Sequence, residues 1–439
     1  MKRLYLVGGT ALTMDPQMTL VQDSVVEVAD GKIVSVSPRP GFKAPAGDET
    51  LNCAGSLVMP GLINGHTHTG MTLLRGVADD LPLMQWLMNR VFPLEQKWGK
   101  PDFVYLGTQL AALEMIRSGT TTFNDMYYFE ADAARAAHES GLRAICGQTV
   151  IEMSGVDNPT HDTIAAFERF FDELKDYPRI IPAVAPHSVY GVSEGLMKEV
   201  IAFAKRKGVS IHVHMAEVMD EVEECKRRFG MTPVEKALAL GAFEVPVVAA
   251  HATCVTESDM AIMASHRVGV ITNPESNLKL GGRICPIPEF RERGVPVGVG
   301  TDSTASNNNL DLLTEAGTMA KLQCFRKGPG SLDVKSVVRM LTIEGAKVLG
   351  IDDRVGSLEV GKRADIIAID INRPHCVPLY DPYSHLVYSS SGHDVRHTIV
   401  DGRVLMQDRV VTTLNESDIL YRSREFAKRI EPKGLHPTL

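Results

Sequence analysis

The stretch LVMPGLINGHTHTG, residues 57–70, sets an apolar run directly before two histidines placed two positions apart. LVMPGLI (57–63) reads as a buried strand. On a strand alternate residues share a face, so His66 and His68 project together from its end. Two co-facing imidazoles can hold one metal ion, but a lone His-x-His also arises by chance in loops. The reading therefore turns on how the other strands of the chain end.

Seven further apolar runs follow: TTTFNDM (120–126), LRAICGQ (142–148), RIIPAVAP (179–186), VSIHVHMAE (209–217), VPVVAAH (245–251), RVGVITNP (267–274) and VPVGVGTDS (295–303). Helical patterns lie between them, such as YLGTQLAALEMIRSG (105–119) and EGLMKEVIAFAKRKG (194–208), with apolar residues recurring every three to four positions. Gly119, Gly141 and Gly208 stand where helices should stop. Eight β/α units across 58–345 predict an α/β fold, a (β/α)8 TIM-type barrel whose strands are buried on both faces. A doubly wound open sheet is the alternative, but no Gly-rich phosphate loop follows any strand.

Both ends of the chain differ from this middle. SVVEVADGKIVSVSP (24–38) alternates around an Asp30-Gly31 turn, and VGSLEVGKRADIIAIDI (355–371) and HTIVDGRVLMQDRVVT (397–412) look alike, the latter with Asp401-Gly402 as its turn. Residues 1–57 and 350–415 are therefore expected to form one small composite β-sandwich domain. The barrel would occupy 58–349, and 416–439 would be a C-terminal helical tail.

With 439 residues, 44% apolar and 23% charged, the composition is that of a globular protein. A net charge of −8 without any Lys/Arg block argues against a nucleic-acid surface. The apolar part of MKRLYLVGG is too short for a signal-peptide core, and no run is long enough for a bilayer. Seven scattered cysteines without a CxxC pair read as reduced thiols of a cytoplasmic protein. Nothing in the composition sets the oligomeric state, and a homo-oligomer stays open.

In such a barrel chemistry sits at the C-terminal strand ends. There the chain places His66 and His68 (strand one), His187 (four), His212, His214 and Glu217 (five), His251 (six) and Asp302 (eight). These residue types bind zinc or a similar divalent ion, and all would face one rim. Spacing alone does not separate His212 from His214. Glu217, three residues on, favours His214 and leaves His212 as an inner-rim or core histidine. Strand four ends in Pro186-His187 with no lysine to bridge two metals, so one ion is expected.

With these residues placed, the chain resembles the amidohydrolase superfamily, and within it the methylthioadenosine/S-adenosylhomocysteine deaminases and their chlorohydrolase relatives. The motifs are PGLINGHTH (60–68), LLRGVADDLPLMQWL (73–87), FPLE (92–95), GTTTFNDM (119–126), APHS (185–188), His214-x-x-Glu217, NPESNLKLGG (273–282) and GTDSTASNNNLDLL (300–313). The resemblance implies a purine nucleoside substrate and one divalent metal ion, Zn2+ ahead of Fe2+, held by His66, His68, His214 and Asp302. His251 would sit beside the water the metal activates, with Asp302 as base and Glu217 as proton shuttle. Glu95 would contact the ribose hydroxyls and His187 the nucleoside, while Trp86 and Met84 would wall the pocket. Without the resemblance, Glu95 reads as an exposed glutamate at a helix start. One departure stands out: relatives that grip a homocysteine tail use arginines after strand three, where RAICGQTVIEMSGVDNPTHDT (143–163) has Gln148 and then none. A glutamine amide does not replace a bidentate guanidinium, so methylthioadenosine or 5′-deoxyadenosine is expected ahead of S-adenosylhomocysteine. The same metal site could instead serve guanine, a pterin or an s-triazine. A hydantoinase-type ring hydrolase is disfavoured by the missing lysine, and a catalytically dead scaffold by the intact ligand set.

Overall fold

The computed structural model describes residues 3–152 and 163–430. Eight parallel strands form a single sheet in sequential order: β1 (Leu62–Thr67), β2 (Thr120–Tyr127), β3 (Arg143–Val150), β4 (Ile180–Pro186), β5 (Ile211–Met215), β6 (Val247–His251), β7 (Val268–Thr272) and β8 (Val297–Val299). Every residue of β1, β2, β3, β5, β6, β7 and β8 is buried, which is why these strands lack the in–out alternation of a half-solvated sheet. The seam between β8 and β1 is closed by polar groups. Asp302 N donates to His66 O at 3.0 Å, and Thr301 N donates to Asn64 Oδ1 at 3.1 Å. The arrangement is the expected (β/α)8 barrel. Gly119, Gly141 and Gly208 each follow a helix with positive φ (88°, 93° and 68°), the left-handed turn that spares glycine a Cβ clash.

The run 57–63 is two strands, not one. Ser56–Pro60 pairs with Thr10–Leu12 and Ile366–Asp370 in a seven-stranded sheet drawn from both ends of the chain. The chain then breaks at Gly61, where a Cβ would meet Thr121 Oγ1 at 2.1 Å, and Leu62 opens the barrel. A second, four-stranded sheet (Leu4–Val7, Ser24–Ala29, Lys32–Pro38, Glu49–Asn52) faces the first across a shared core that includes Leu6, Val26, Ile33, Val58, Ile366 and Ile399. In 355–371 only Ile366–Asp370 is a strand. The preceding segment is turn structure tied down by Leu358 N to Thr13 O and Gly361 N to Ile33 O. A helix, Glu416–Ala427, follows the last strand.

A buried ion pair fastens the barrel to the terminal sheets. Arg143 Nε and Nη2, at the start of β3, donate to Asp365 Oδ2 and Oδ1 at 2.8 and 3.1 Å, with both side chains at most 5% exposed. Removing one partner leaves an uncompensated buried charge. Arg143→Ala is therefore expected to lower stability by about 3–5 kcal/mol in urea unfolding, and an unchanged midpoint would contradict this.

Candidate active site

The C-terminal strand ends make one rim, and β1 reaches it through a bulge. Asn64 pairs with Phe123 and Thr67 with Asp125, so three steps on β1 match two on β2. Before the bulge Ile63 packs in the barrel interior, and Gly65 leaves room there for Ile271, whose Cδ1 would lie 2.2 Å from an added Cβ. After it, His66 and His68 turn to the rim, because a bulge re-aims the side chains that follow. Backbone strain collects at the same level: Ala216, His251 and Asp302, at the ends of β5, β6 and β8, all have positive φ (49°, 71° and 60°). Non-glycine residues adopt this region at a cost and cluster at functional sites.

The structure brings His66, His68, His214, His251 and Asp302 together. Asp302 Oδ1 lies 3.4 Å from His66 Nε2 and 3.2 Å from His68 Nε2, and His68 and His214 approach Nε2 to Nε2 at 3.3 Å. Donors bound to one tetrahedral ion at about 2.0–2.1 Å stand about 3.3 Å apart, so this spacing fits a metal. His66 Nε2 is moreover buried with no hydrogen-bond partner, a state that an ion would relieve. The far side of each ring is anchored: His68 Nδ1 to Met126 O (2.6 Å), His214 Nδ1 to His187 O (2.8 Å), and His66 Nδ1 to His212 Nε2 (2.9 Å). Such partners fix ring orientation and tautomer. His212 is thus the support of His66 rather than a member of the cluster. Burial pushes the pKa of His66 down and that of His214 well down, favouring neutral rings with free lone pairs. Burial acts to raise the pKa of Asp302, but the adjacent imidazoles of His66 and His68 hold it well below the usual carboxylate range. Its outer oxygen, Oδ2, accepts from Ser276 Oγ (2.6 Å) and Ser306 Oγ (3.0 Å).

Glu217 follows β5 at the cavity wall. Its backbone N donates to Glu221 Oε2 (2.7 Å) and its carbonyl accepts from Thr253 Oγ1 (2.5 Å), while its Oε1 lies 3.8 Å from His251 Nε2. Burial, reinforced by the charges of Asp302 and Glu221, raises its pKa well above the ordinary carboxylate value. A carboxyl biased in this way towards its protonated form, beside the imidazole cluster, is equipped to give a proton. Burial drives His251 and His187 down to about 3, so both are neutral.

One cavity is shared by His68, His187, His214, Glu217, His251 and Asp302. Its outer wall is the segment 83–95, folded over the rim as the helices Leu83–Trp86 and Phe92–Trp98 with a π-helical turn, Leu87–Val91, between them. Leu83, Trp86, Leu87 and Glu95 line the cavity; Met84 is not among the lining residues. Glu95 is buried, not exposed as its local sequence implies. It accepts from Tyr127 Oη at 2.6 Å, and burial pushes its pKa up to about 7. Gln148 is not brought to the cavity. Alternation along β3 turns Thr149 inward, and Gln148 Nε2 instead reaches Thr149 O at 3.4 Å. Residues 153–162 of the arginine-free stretch lie outside the described residues.

Sequence reasoning assigned no role to Tyr127 and Tyr190, which line the cavity, or to Asn273, Ser276, Asn277 and Ser306, which hold His251 and Asp302 from behind. The signal was present in NPESNLKLGG and TDSTASNNN, whose polar residues directly follow β7 and β8. A roomier cleft of about 830 Å3 opens between Leu110, Arg117 and the helix Glu416–Ala427, but none of the clustered histidines lines it.

Comparison with known proteins agrees with this fold. The model of the amidohydrolase family matches residues 57–405. A 5-methylthioadenosine/S-adenosylhomocysteine deaminase of Syntrophobacter fumaroxidans is 42% identical over 98% of both chains. One of the same name from Thermodesulfovibrio yellowstonii is 39% identical over 95% of this chain and 97% of its own. Among solved structures, an adenosine deaminase from Xanthomonas campestris with bound zinc superposes with a TM-score of 0.93 at 34% identity, covering 97% of this chain and 98% of that one. An atrazine chlorohydrolase from Arthrobacter aurescens with zinc shares the fold (TM-score 0.88, 22% identity, 97% and 100% covered).

Proposed function

The chain belongs to the amidohydrolase family, and from that premise we propose that it hydrolytically deaminates the adenine ring of 5′-substituted adenosines, of which methylthioadenosine is the type, releasing the inosine analogue and ammonia. The observation that carries this reading is Glu95, a buried carboxyl in the same cavity as the imidazole cluster. Its two oxygens suit the vicinal hydroxyls of a ribose, a feature that guanine, a pterin and a triazine lack.

His66, His68, His214 and Asp302 would hold one divalent ion, Zn2+ in first place and Fe2+ second. When bound, such an ion lowers the pKa of water towards neutrality and stabilises developing negative charge. The residues do the rest. Ser276 and Ser306 hold the outer oxygen of Asp302, so its inner oxygen is aimed to take the proton of the attacking water. His251 orients that water. Glu217 gives its proton to the ring nitrogen beside the carbon under attack, which makes that carbon electrophilic. As the C–O bond forms and the C–N bond breaks, the proton taken by Asp302 passes to the departing amino group, which leaves as ammonia, and Glu217 recovers a proton from the new hydroxyl as it becomes the ring carbonyl. His187 and Trp86 would flank the nucleoside. With Thr149 rather than an arginine facing the cavity from β3, and no arginine in 144–152, small 5′ groups are preferred to a charged homocysteine tail. All seven cysteines are unpaired, which supports a reducing, cytoplasmic setting.

The test is Glu95→Ala. Two hydrogen bonds to a charged group are removed, so kcat/KM for methylthioadenosine is expected to fall about 10²-fold, with no such fall for a 2′,3′-dideoxy analogue. In the wild type, KM should rise as pH falls through about 7, because Glu95 then gains a proton and one oxygen stops accepting. Equal loss on both substrates would overturn the ribose role.

A further inference from the structure

The imidazoles of the cluster differ in what their Nδ1 atoms face. Those of His68 and His214 face backbone carbonyl oxygens, at 2.6 and 2.8 Å, and that of His66 faces the Nε2 of His212 at 2.9 Å. A ring whose Nδ1 carries the proton presents a bare lone pair at Nε2, as a ligand must. His251 breaks the pattern. Its Nδ1 faces two side-chain amide nitrogens, Asn277 Nδ2 at 2.9 Å and Asn273 Nδ2 at 3.3 Å, and all three residues are buried. Amide nitrogens only donate. The neutral ring must therefore accept at Nδ1 and carry its proton on Nε2. That Nε2 has no hydrogen-bond partner and points into the site, 3.8 Å from Glu217 Oε1.

The local sequence explains how two amides reach one ring. Asn273 precedes the short helix Pro274–Lys279, and Asn277 lies one turn further on, with its backbone N bonded to Asn273 O at 3.0 Å. Residues four apart on a helical turn share a face. The opposite amide orientation would aim two carbonyl oxygens at one N–H. It would also turn the bare Nε2 of His251 towards the ionised Asp302, whose carboxylate lies within 4.8 Å.

We propose that Asn277, assisted by Asn273, is a positioning residue that sets the Nε2–H tautomer of His251. It thereby excludes His251 from the ligand set and makes it the hydrogen-bond donor that holds the oxygen of the attacking water. The tautomer does not depend on which substrate is used, so its failure can be told apart from failure of the proposed deaminase activity.

The experiment is 1H–15N correlation NMR of the zinc-loaded, 15N-histidine-labelled protein, for the wild type and Asn277→Asp. Wild-type His251 should show a protonated Nε2 and a bare Nδ1. An ionised aspartate only accepts, so at a pH where it is ionised it should place a proton on Nδ1, with kcat falling about 10²–10⁴-fold while KM and zinc content hold. A wild-type proton on Nδ1 would overturn the proposal. So would an Asn277→Asp protein whose Nδ1 stays bare, whatever its activity.

Discussion

Glu217→Gln is expected to keep its metal and lose its turnover, with kcat lower by about 10²–10⁴-fold, the usual contribution of a positioned acid or base. The amide is nearly isosteric, and the main chain of Glu217 is held independently of the side chain by Glu221 and Thr253. The fold and the imidazole cluster should therefore be undisturbed. What disappears is the acidic proton. Burial and the nearby charge of Asp302 bias the carboxyl towards its protonated form, and an amide N–H is too weak an acid to protonate a ring nitrogen. Metal analysis beside steady-state kinetics checks this. Normal turnover would remove Glu217 from the chemistry, and loss of metal would make it a ligand instead.

His214→Ala should do the reverse and empty the site. His214 supplies an Nε2 that meets His68 Nε2 at 3.3 Å, and it is pre-set by the bond from its Nδ1 to His187 O. Losing an outer partner of a ligand costs about 10–100-fold in metal affinity, and losing the ligand itself should exceed that. Metal content after dialysis should drop from about one ion per chain to near none, with activity lost in proportion. Full retention of metal would mean that the ion sits elsewhere, for example on His66, His251 and Asp302, which also lie within reach of one another.

The barrel was legible because its strands are buried on both faces and read as apolar runs, each ending in a polar residue at a countable interval. For the same reason the phase of those strands was not legible. β3 is buried throughout, so nothing in RAICGQTV says whether Gln148 or Thr149 faces inward, and the structure selects Thr149. The bulge in β1 was equally silent: the alternation that correctly pairs His66 with His68 does not continue back to Ile63. Nor does a local pattern show that Pro60 closes a strand of the terminal sheet while Leu62 opens the barrel. Glu95 was invisible without the family resemblance, because its burial comes from the fold of 83–98 over the rim. Asn273 and Asn277 look like turn residues until His251 is seen behind them.

The most direct measurement is ammonia release by the zinc-loaded protein, followed together with the absorbance change from adenine to hypoxanthine. Its substrates would be methylthioadenosine, 5′-deoxyadenosine, adenosine, S-adenosylhomocysteine, guanine and an s-triazine. Stoichiometric ammonia from the 5′-substituted adenosines, fastest with the small uncharged substituents, is the predicted result. Hydrolysis of guanine or the triazine with no reaction of any adenosine would contradict it.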